Sequence, residues 1–223
     1  MESKLFLPLI CLFIFLSAGL TIFAHYLRPK HTVFFYLFKP LTTILILSVA
    51  LLPGTLLSDP YARAIALGLV FSLAGDICLM LPGNRFLFGL VSFLIAHICY
   101  IIAFFPGALR NGVIWPLLPL ALVGAIILGY LWPALSAGLK AAVSLYVAVI
   151  VAMAWLAAGP AIAGSSAGAL SAALGALLFM ASDATLAIDR FRRPFRMAQA
   201  VILGSYYLGQ LLIALSIGLR IGG

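Results

Sequence analysis

Residues 62–81 read ARAIALGLVFSLAGDICLML, an apolar run with one charge at its start, Arg63, and one acid inside it, Asp76. About 20 such residues, rising 1.5 Å each, cross the roughly 30 Å hydrocarbon core of a bilayer as one helix. Seven similar runs surround it, at approximately 5–24, 32–52, 86–105, 113–130, 138–157, 168–188 and 197–219. The expected fold is therefore an all-α integral membrane protein of about eight transmembrane helices joined by short loops.

Composition agrees. The 223 residues are 65% hydrophobic and 8% charged, with mean hydropathy +1.26, well beyond the roughly 45–50% apolar share of soluble domains. Residues 1–223 are expected to form a single multi-pass membrane domain with no soluble module. In a soluble protein the net charge of +8 would suggest nucleic acid. Here Lys and Arg gather in loops, the pattern of membrane orientation and anionic headgroup contact, so no nucleic-acid partner is expected. Cys11, Cys78 and Cys99 fall inside runs without metal or redox spacing and read as packing residues. The first run is long and many follow, so it reads as an uncleaved helix rather than a signal peptide.

Pro53, Pro60, Pro82, Pro106, Pro133, Pro160 and Pro194 lie at or near the breaks, where a helix can stop without losing an interior hydrogen bond. Pro40 is the exception and marks a possible kink in the second span. With eight spans, one side collects Arg28, Lys30, Arg85, Lys140, Arg190, Arg192, Arg193 and Arg196, and the other Lys4, Arg63, Arg110 and Arg220. The positive-inside rule makes the richer side cytoplasmic and places both termini outside.

An internal repeat is visible when Leu73-Ala74-Gly75-Asp76-Ile77-Cys78-Leu79 is laid on Met180-Ala181-Ser182-Asp183-Ala184-Thr185-Leu186. Each has a small residue before Asp and Leu three after it, and Tyr100 and Tyr207 follow their aspartates at the same interval. Two parallel four-helix halves are the implied arrangement.

Asp76 and Asp183 are the leading site candidates. A carboxylate at the centre of a bilayer is unfavourable by roughly 2.5–3.5 kcal/mol on insertion scales, so it faces a bundle interior or a wet cavity and usually acts there. Both helices run toward the basic side and place the acid about five residues, roughly 8 Å, from their end. Lys39 stands about seven residues into a helix starting from that side, and Asn84 and Arg85 cap the region from a loop. Deeper down, His97 and Tyr100 share a face of helix four, and Tyr206 and Gln210 a face of helix eight, with Ser205 and Tyr207 adjacent. Plainer roles compete: interhelical hydrogen bonding for the aspartates, tyrosines, Ser182 and Ser205, snorkelling for Lys39, packing for His97 and a loop contact for Asp189. His25, His31 and His97 lack ligand spacing, so no metal site is expected. Phosphate-loop, GxSxG and dinucleotide motifs are absent.

Gly75-Asp76, Phe86-Leu87-Phe88-Gly89-Leu90, Phe93, Ala96-His97, Tyr100, Ser182-Asp183, Arg190-Phe191 and Tyr206-Tyr207-Leu208-Gly209-Gln210, with Lys39-Pro40, together resemble the YhhN-like lysoplasmalogenase family. The resemblance covers most of the chain. It implies an eight-helix hydrolase that cleaves the vinyl-ether bond of lysoplasmalogens to a fatty aldehyde and a glycerophospho-base. Asp76 and Asp183 would be its catalytic pair, working on a lysophospholipid without a cofactor.

The residues suit that chemistry. Vinyl-ether hydrolysis needs a proton donor at the alkene carbon and a base or anion beside the resulting oxocarbenium ion, as carboxyl pairs provide in glycosidases. Low dielectric favours a neutral carboxyl, and two close carboxyls titrate as a coupled pair. Which aspartate takes which role is open at this stage. Lys39, Asn84 and Arg85 would meet the phosphate, and His97, Tyr100, Ser182, Tyr206, Tyr207 and Gln210 would line the pocket. The competing classes are a small-molecule or proton-coupled transporter, since paired intramembrane acids in repeated halves also serve transport, and a hydrolase of another lysolipid bond. A bacterial plasma membrane is the expected location.

Overall fold

The computed structural model describes residues 2–27, 32–56, 58–83 and 85–221. Its helices are α1 (Glu2–Tyr26), α2 (Thr32–Leu51), α3 (Pro60–Met80), α4 (Phe86–Asn111), α5 (Leu117–Leu131), α6 (Ala137–Ile162), α7 (Ala167–Phe191) and α8 (Ala198–Ile221). The described residues contain no strand. All eight helices, α5 with the 3₁₀ turn Trp132–Ala134 that extends it, are long and apolar enough to span a membrane. The outer surface is correspondingly apolar: Val33 and Leu118 are 76% and 77% exposed, as suits lipid contact rather than water.

Two helices outrun the sequence expectation by passing a proline expected to end them. α4 continues past Pro106 to Asn111, and α6 past Pro160 to Ile162. A proline removes its own N–H bond but not those after it, so near a helix end the ladder resumes. α4 then stops at Gly112, whose φ of 62° is the left-handed conformation suited to glycine, and whose N–H reaches the Ala108 carbonyl. Pro40 lies within the continuous helix α2.

Packing follows the repeat. α1 packs on α2, α2 on α3 and α3 on α4; α5 packs on α6, α6 on α7 and α7 on α8. The cross-contacts α2 with α8 and α6 with α4 correspond in the same way. Within each half the acid-bearing helix is held tightly to the next one. A Cβ on Gly175 would lie 2.6 Å from the Gly209 carbonyl, and one on Gly209 would lie 2.8 Å from the Gly175 carbonyl, so α7 and α8 touch backbone to backbone. In α3 and α4, Gly68 receives the Tyr100 ring and Gly75 the Phe93 ring. Small residues permit such approach where lipid supplies no hydrophobic drive between helices.

Most of the basic loop residues gather at one end. Lys140 sits 4.9 Å from the Trp132 ring centroid and Arg192 4.7 Å from that of Tyr130. At the same end the Tyr26 hydroxyl donates to the Arg196 carbonyl at 2.9 Å, tying α1 to the start of α8.

Candidate functional site

Asp76 is 2% exposed, on the last turns of α3 where that helix meets α2 and α8. Its Oδ2 accepts from Thr43 Oγ1 at 2.7 Å and from the Tyr206 hydroxyl at 2.8 Å. Its Oδ1 stands 3.4 Å from Lys39 Nζ, which also donates to the Asp76 backbone carbonyl at 3.3 Å. Lys39 is itself 6% exposed, so this is a buried ion pair rather than a snorkelling lysine. Lys39 and Thr43 lie four apart on one face of α2, which is why both reach the same carboxylate.

Asp183 occupies the matching place on α7. Its Oδ2 accepts from the Tyr146 hydroxyl at 2.5 Å, and His97 Nε2 stands 3.5 Å away. Lys39 and Tyr146 are separated by 107 positions, as are Asp76 and Asp183. The two halves thus present the same contact with different chemistry, an ammonium in one and a phenol in the other.

Both acids line one cavity of about 250 Å³ at the basic end, together with Lys39, Ser182, Asp189, Arg190 and Tyr206. A second, narrow cavity of about 60 Å³ is lined almost entirely by apolar side chains of α4, α5, α6 and α7, including Leu90, Ile127, Val147 and Met180. Asp183, Phe86 and Leu186 belong to both linings, so the polar chamber and the apolar groove meet at that carboxyl. Arg190 lies 5.0 Å from the Phe86 ring centroid and Phe86 packs edge-on against Phe191, which joins α4 to α7 at the junction.

The other sequence candidates fall into two groups. Tyr206 reaches Asp76 and His97 approaches Asp183. Ser182 lines the chamber, with its hydroxyl donating to the Ile202 carbonyl at 3.0 Å. Tyr100, Gln210 and Tyr207 stand outside the chamber lining. Tyr100 donates to Gln210 Oε1 at 2.6 Å, Gln210 Nε2 donates to Ser72 at 2.8 Å, and Tyr207 donates to the Lys39 carbonyl at 3.3 Å. Their polar atoms are taken up in cross-links between α2, α3, α4 and α8, because a buried polar group in a helical bundle must find a partner. Ser205 likewise turns back to the Val201 carbonyl of its own helix. Asp189 accepts from the Phe195 N–H at 3.2 Å, closing the loop after α7. Arg85 is exposed at the α4 N-terminus and is not part of the lining. Asn84 lies outside the described residues.

Thr43 and Tyr146 were not candidates from sequence. Thr43 carried a signal, its i+4 spacing from Lys39. Tyr146 carried one only through the repeat, because it takes the place of Lys39 in the second half. Among the described residues no cluster of three His, Cys, Asp or Glu could hold a metal ion.

Eight spanning helices that bring a buried acid, Asp76, and a partly buried one, Asp183, to one chamber define a polytopic membrane protein with an intramembrane carboxyl pair. The chain belongs to the YhhN family, whose family model matches residues 34–217. Human lysoplasmalogenase TMEM86A is 38% identical over 169 residues, 73% of this chain and 68% of that protein; its bovine counterpart is 37% identical over the same shares. The uncharacterized membrane protein YhhN of Escherichia coli O157:H7 is 31% identical over 203 residues, 91% of this chain and 95% of its own. No solved structure matches the chain.

Proposed function

We propose that this protein is a membrane hydrolase cleaving the vinyl-ether bond of lysoplasmalogens. Relatives named lysoplasmalogenases support the reaction class. The observation that carries the assignment to this site is the junction of a polar chamber and an apolar groove at Asp183. A single-tailed amphiphile has the complementary polarity: its head would sit beside Lys39 and Arg190, its chain would enter the groove, whose volume of about 60 Å³ takes only the first carbons before it opens outward, and the bond between them would lie at the carboxyls.

The partners of the two acids suggest their roles. Asp76 is matched by an ammonium and two hydroxyl donors, the surroundings of a carboxylate that stabilises a neighbouring cation. Asp183 has a phenol and an imidazole instead, and it borders the groove where the alkene would lie. In this mechanism Asp183 gives its proton to the outer alkene carbon, and the double-bond electrons form that C–H bond. The inner carbon and the ether oxygen then share an oxocarbenium charge facing the anionic Asp76. Water adds to the inner carbon and loses a proton to a carboxylate. That carboxyl then returns its proton to the glycerol oxygen while the other carboxylate takes the hemiacetal O–H proton; the carbon–oxygen bond breaks, releasing a fatty aldehyde and a glycerophospho-base with the pair again holding one proton. Lys39 positions Asp76, and Tyr146 and His97 position Asp183. The bacterial relative makes a bacterial plasma membrane a fitting location.

The test is release of aldehyde from a lysoplasmalogen by the purified protein in detergent, beside the saturated ether analogue. Wild-type protein should act on the vinyl ether alone, and Asp76→Asn and Asp183→Asn should each lose at least about 10²-fold, the usual worth of a positioned acid or base. Substantial turnover in either variant would rule out the paired mechanism.

A further inference from the structure

At the opposite end of the bundle, where α3 and α7 begin and α4, α6 and α8 finish, lies a cavity of about 680 Å³. Its polar lining includes Asp59, Tyr61, Arg110, Asn111, Ser165 and Arg220. We propose that this cavity is a second binding site, for the phosphate group of a membrane amphiphile.

Charge is the first argument. Two guanidinium groups face the cavity against one carboxylate, an excess of one positive charge. Arg220 is partly engaged: its Nη1 is 3.9 Å from Asp59 Oδ2, and its guanidinium lies 3.8 Å from the Tyr61 ring centroid. The Tyr61 hydroxyl is bound to Ser216 at 2.6 Å, so the ring under Arg220 is fixed from below. Arg110 has no carboxylate partner among the described residues. The positive-inside bias accounts for arginines at the other end but gives no reason for a pair here. Arginine presents a planar fork of donors that matches a phosphate.

Shape is the second argument. The rim is braced by Asn111, which donates to the Gly107 carbonyl at 2.8 Å and accepts from the Ser165 hydroxyl at 3.2 Å. Behind the arginines the wall turns apolar, with Phe104 and Leu156, as a ligand with both a charged head and a hydrocarbon part requires. Asp59, which caps the start of α3, precedes Asp76 by 17 residues, a separation of roughly 25 Å along the helix. One headgroup cannot reach both ends, so this ligand is distinct from the substrate in the chamber.

Native mass spectrometry of the full-length protein in neutral detergent tests the proposal, with dioleoylphosphatidylglycerol as probe and dioleoylglycerol, which lacks phosphate, as control. Wild-type protein should retain the phospholipid and not the diacylglycerol. Arg110→Gln, which breaks no pair in the fold, should lower retention about tenfold, the worth of one charge-assisted contact, and Arg110→Lys should recover part of it. Arg220→Gln should act in the same direction. Persistence of the lipid in millimolar inorganic phosphate would support a lipid headgroup as the ligand, whereas its displacement would assign the site to free phosphate and overturn the amphiphile proposal. Equal retention of the two probes, or equal retention by wild type and Arg110→Gln, would overturn it.

Discussion

Lys39 and Asp76 form a pair whose removal and replacement have opposite consequences. Deleting one member of a buried ion pair leaves the other charge uncompensated and costs about 3–5 kcal/mol, whereas replacing both can be nearly neutral. Lys39→Met should therefore lower the thermal unfolding temperature markedly, and Lys39→Met combined with Asp76→Asn should recover much of it while remaining inactive. Scanning fluorimetry and the aldehyde assay on the same samples separate the two effects. Tyr146 and Thr43 each give one hydroxyl to a carboxyl. Tyr146→Phe should depress kcat more than Thr43→Val, because Asp76 keeps Lys39 and Tyr206 when Thr43 is lost, whereas among the described residues Asp183 is left with the 3.5 Å approach of His97 Nε2.

Paired helices set the geometry these residues need. α7 carries Asp183, and its position depends on backbone contact with α8 through Gly175 and Gly209. Gly209→Val would push a branched side chain against the Gly175 carbonyl, and overpacking of this kind costs about 1–3 kcal/mol. Both stability and turnover should fall, read by fluorimetry and by activity at a temperature where the variant remains folded. The apolar groove gives a separable prediction. Val147 follows Tyr146 directly in α6 and lines the groove without contributing to the hydrogen bonds described above. Val147→Phe should raise KM for long-chain lysoplasmalogens more than for short-chain ones and change kcat little, as expected when binding that is equal in ground and transition states is removed.

The molecule as a whole has two dissimilar ends. One combines most of the cationic loops with the acid chamber, and the other holds the Arg110 and Arg220 cavity. If the positive-inside rule orients the chain, a cysteine at Arg193 should react with an impermeant maleimide only from the cytoplasmic side, and one at Arg110 only from the opposite side. Labelling of both from one side would show a miscounted span. Eight helices with short connections leave little freedom for another topology, and the corresponding contacts of the two halves follow from that order.

Span number and helix identity were legible in the chain because a bilayer demands long apolar helices, and that demand is written in composition at every position. The depth of Asp76 could be read as well, since rise per residue converts spacing into distance along an axis, but α7 runs on to Phe191 and so carries Asp183 further from its helix end than Asp76 stands from the end of α3. Rotation about those axes has no comparable signature. It decided that Tyr100 and Gln210 bond to each other, that Tyr146 approaches Asp183, and that an apolar groove opens beside that acid. Such azimuthal placement comes from how neighbouring helices interlock through glycines and rings, a property of contacts between distant segments that no local stretch contains.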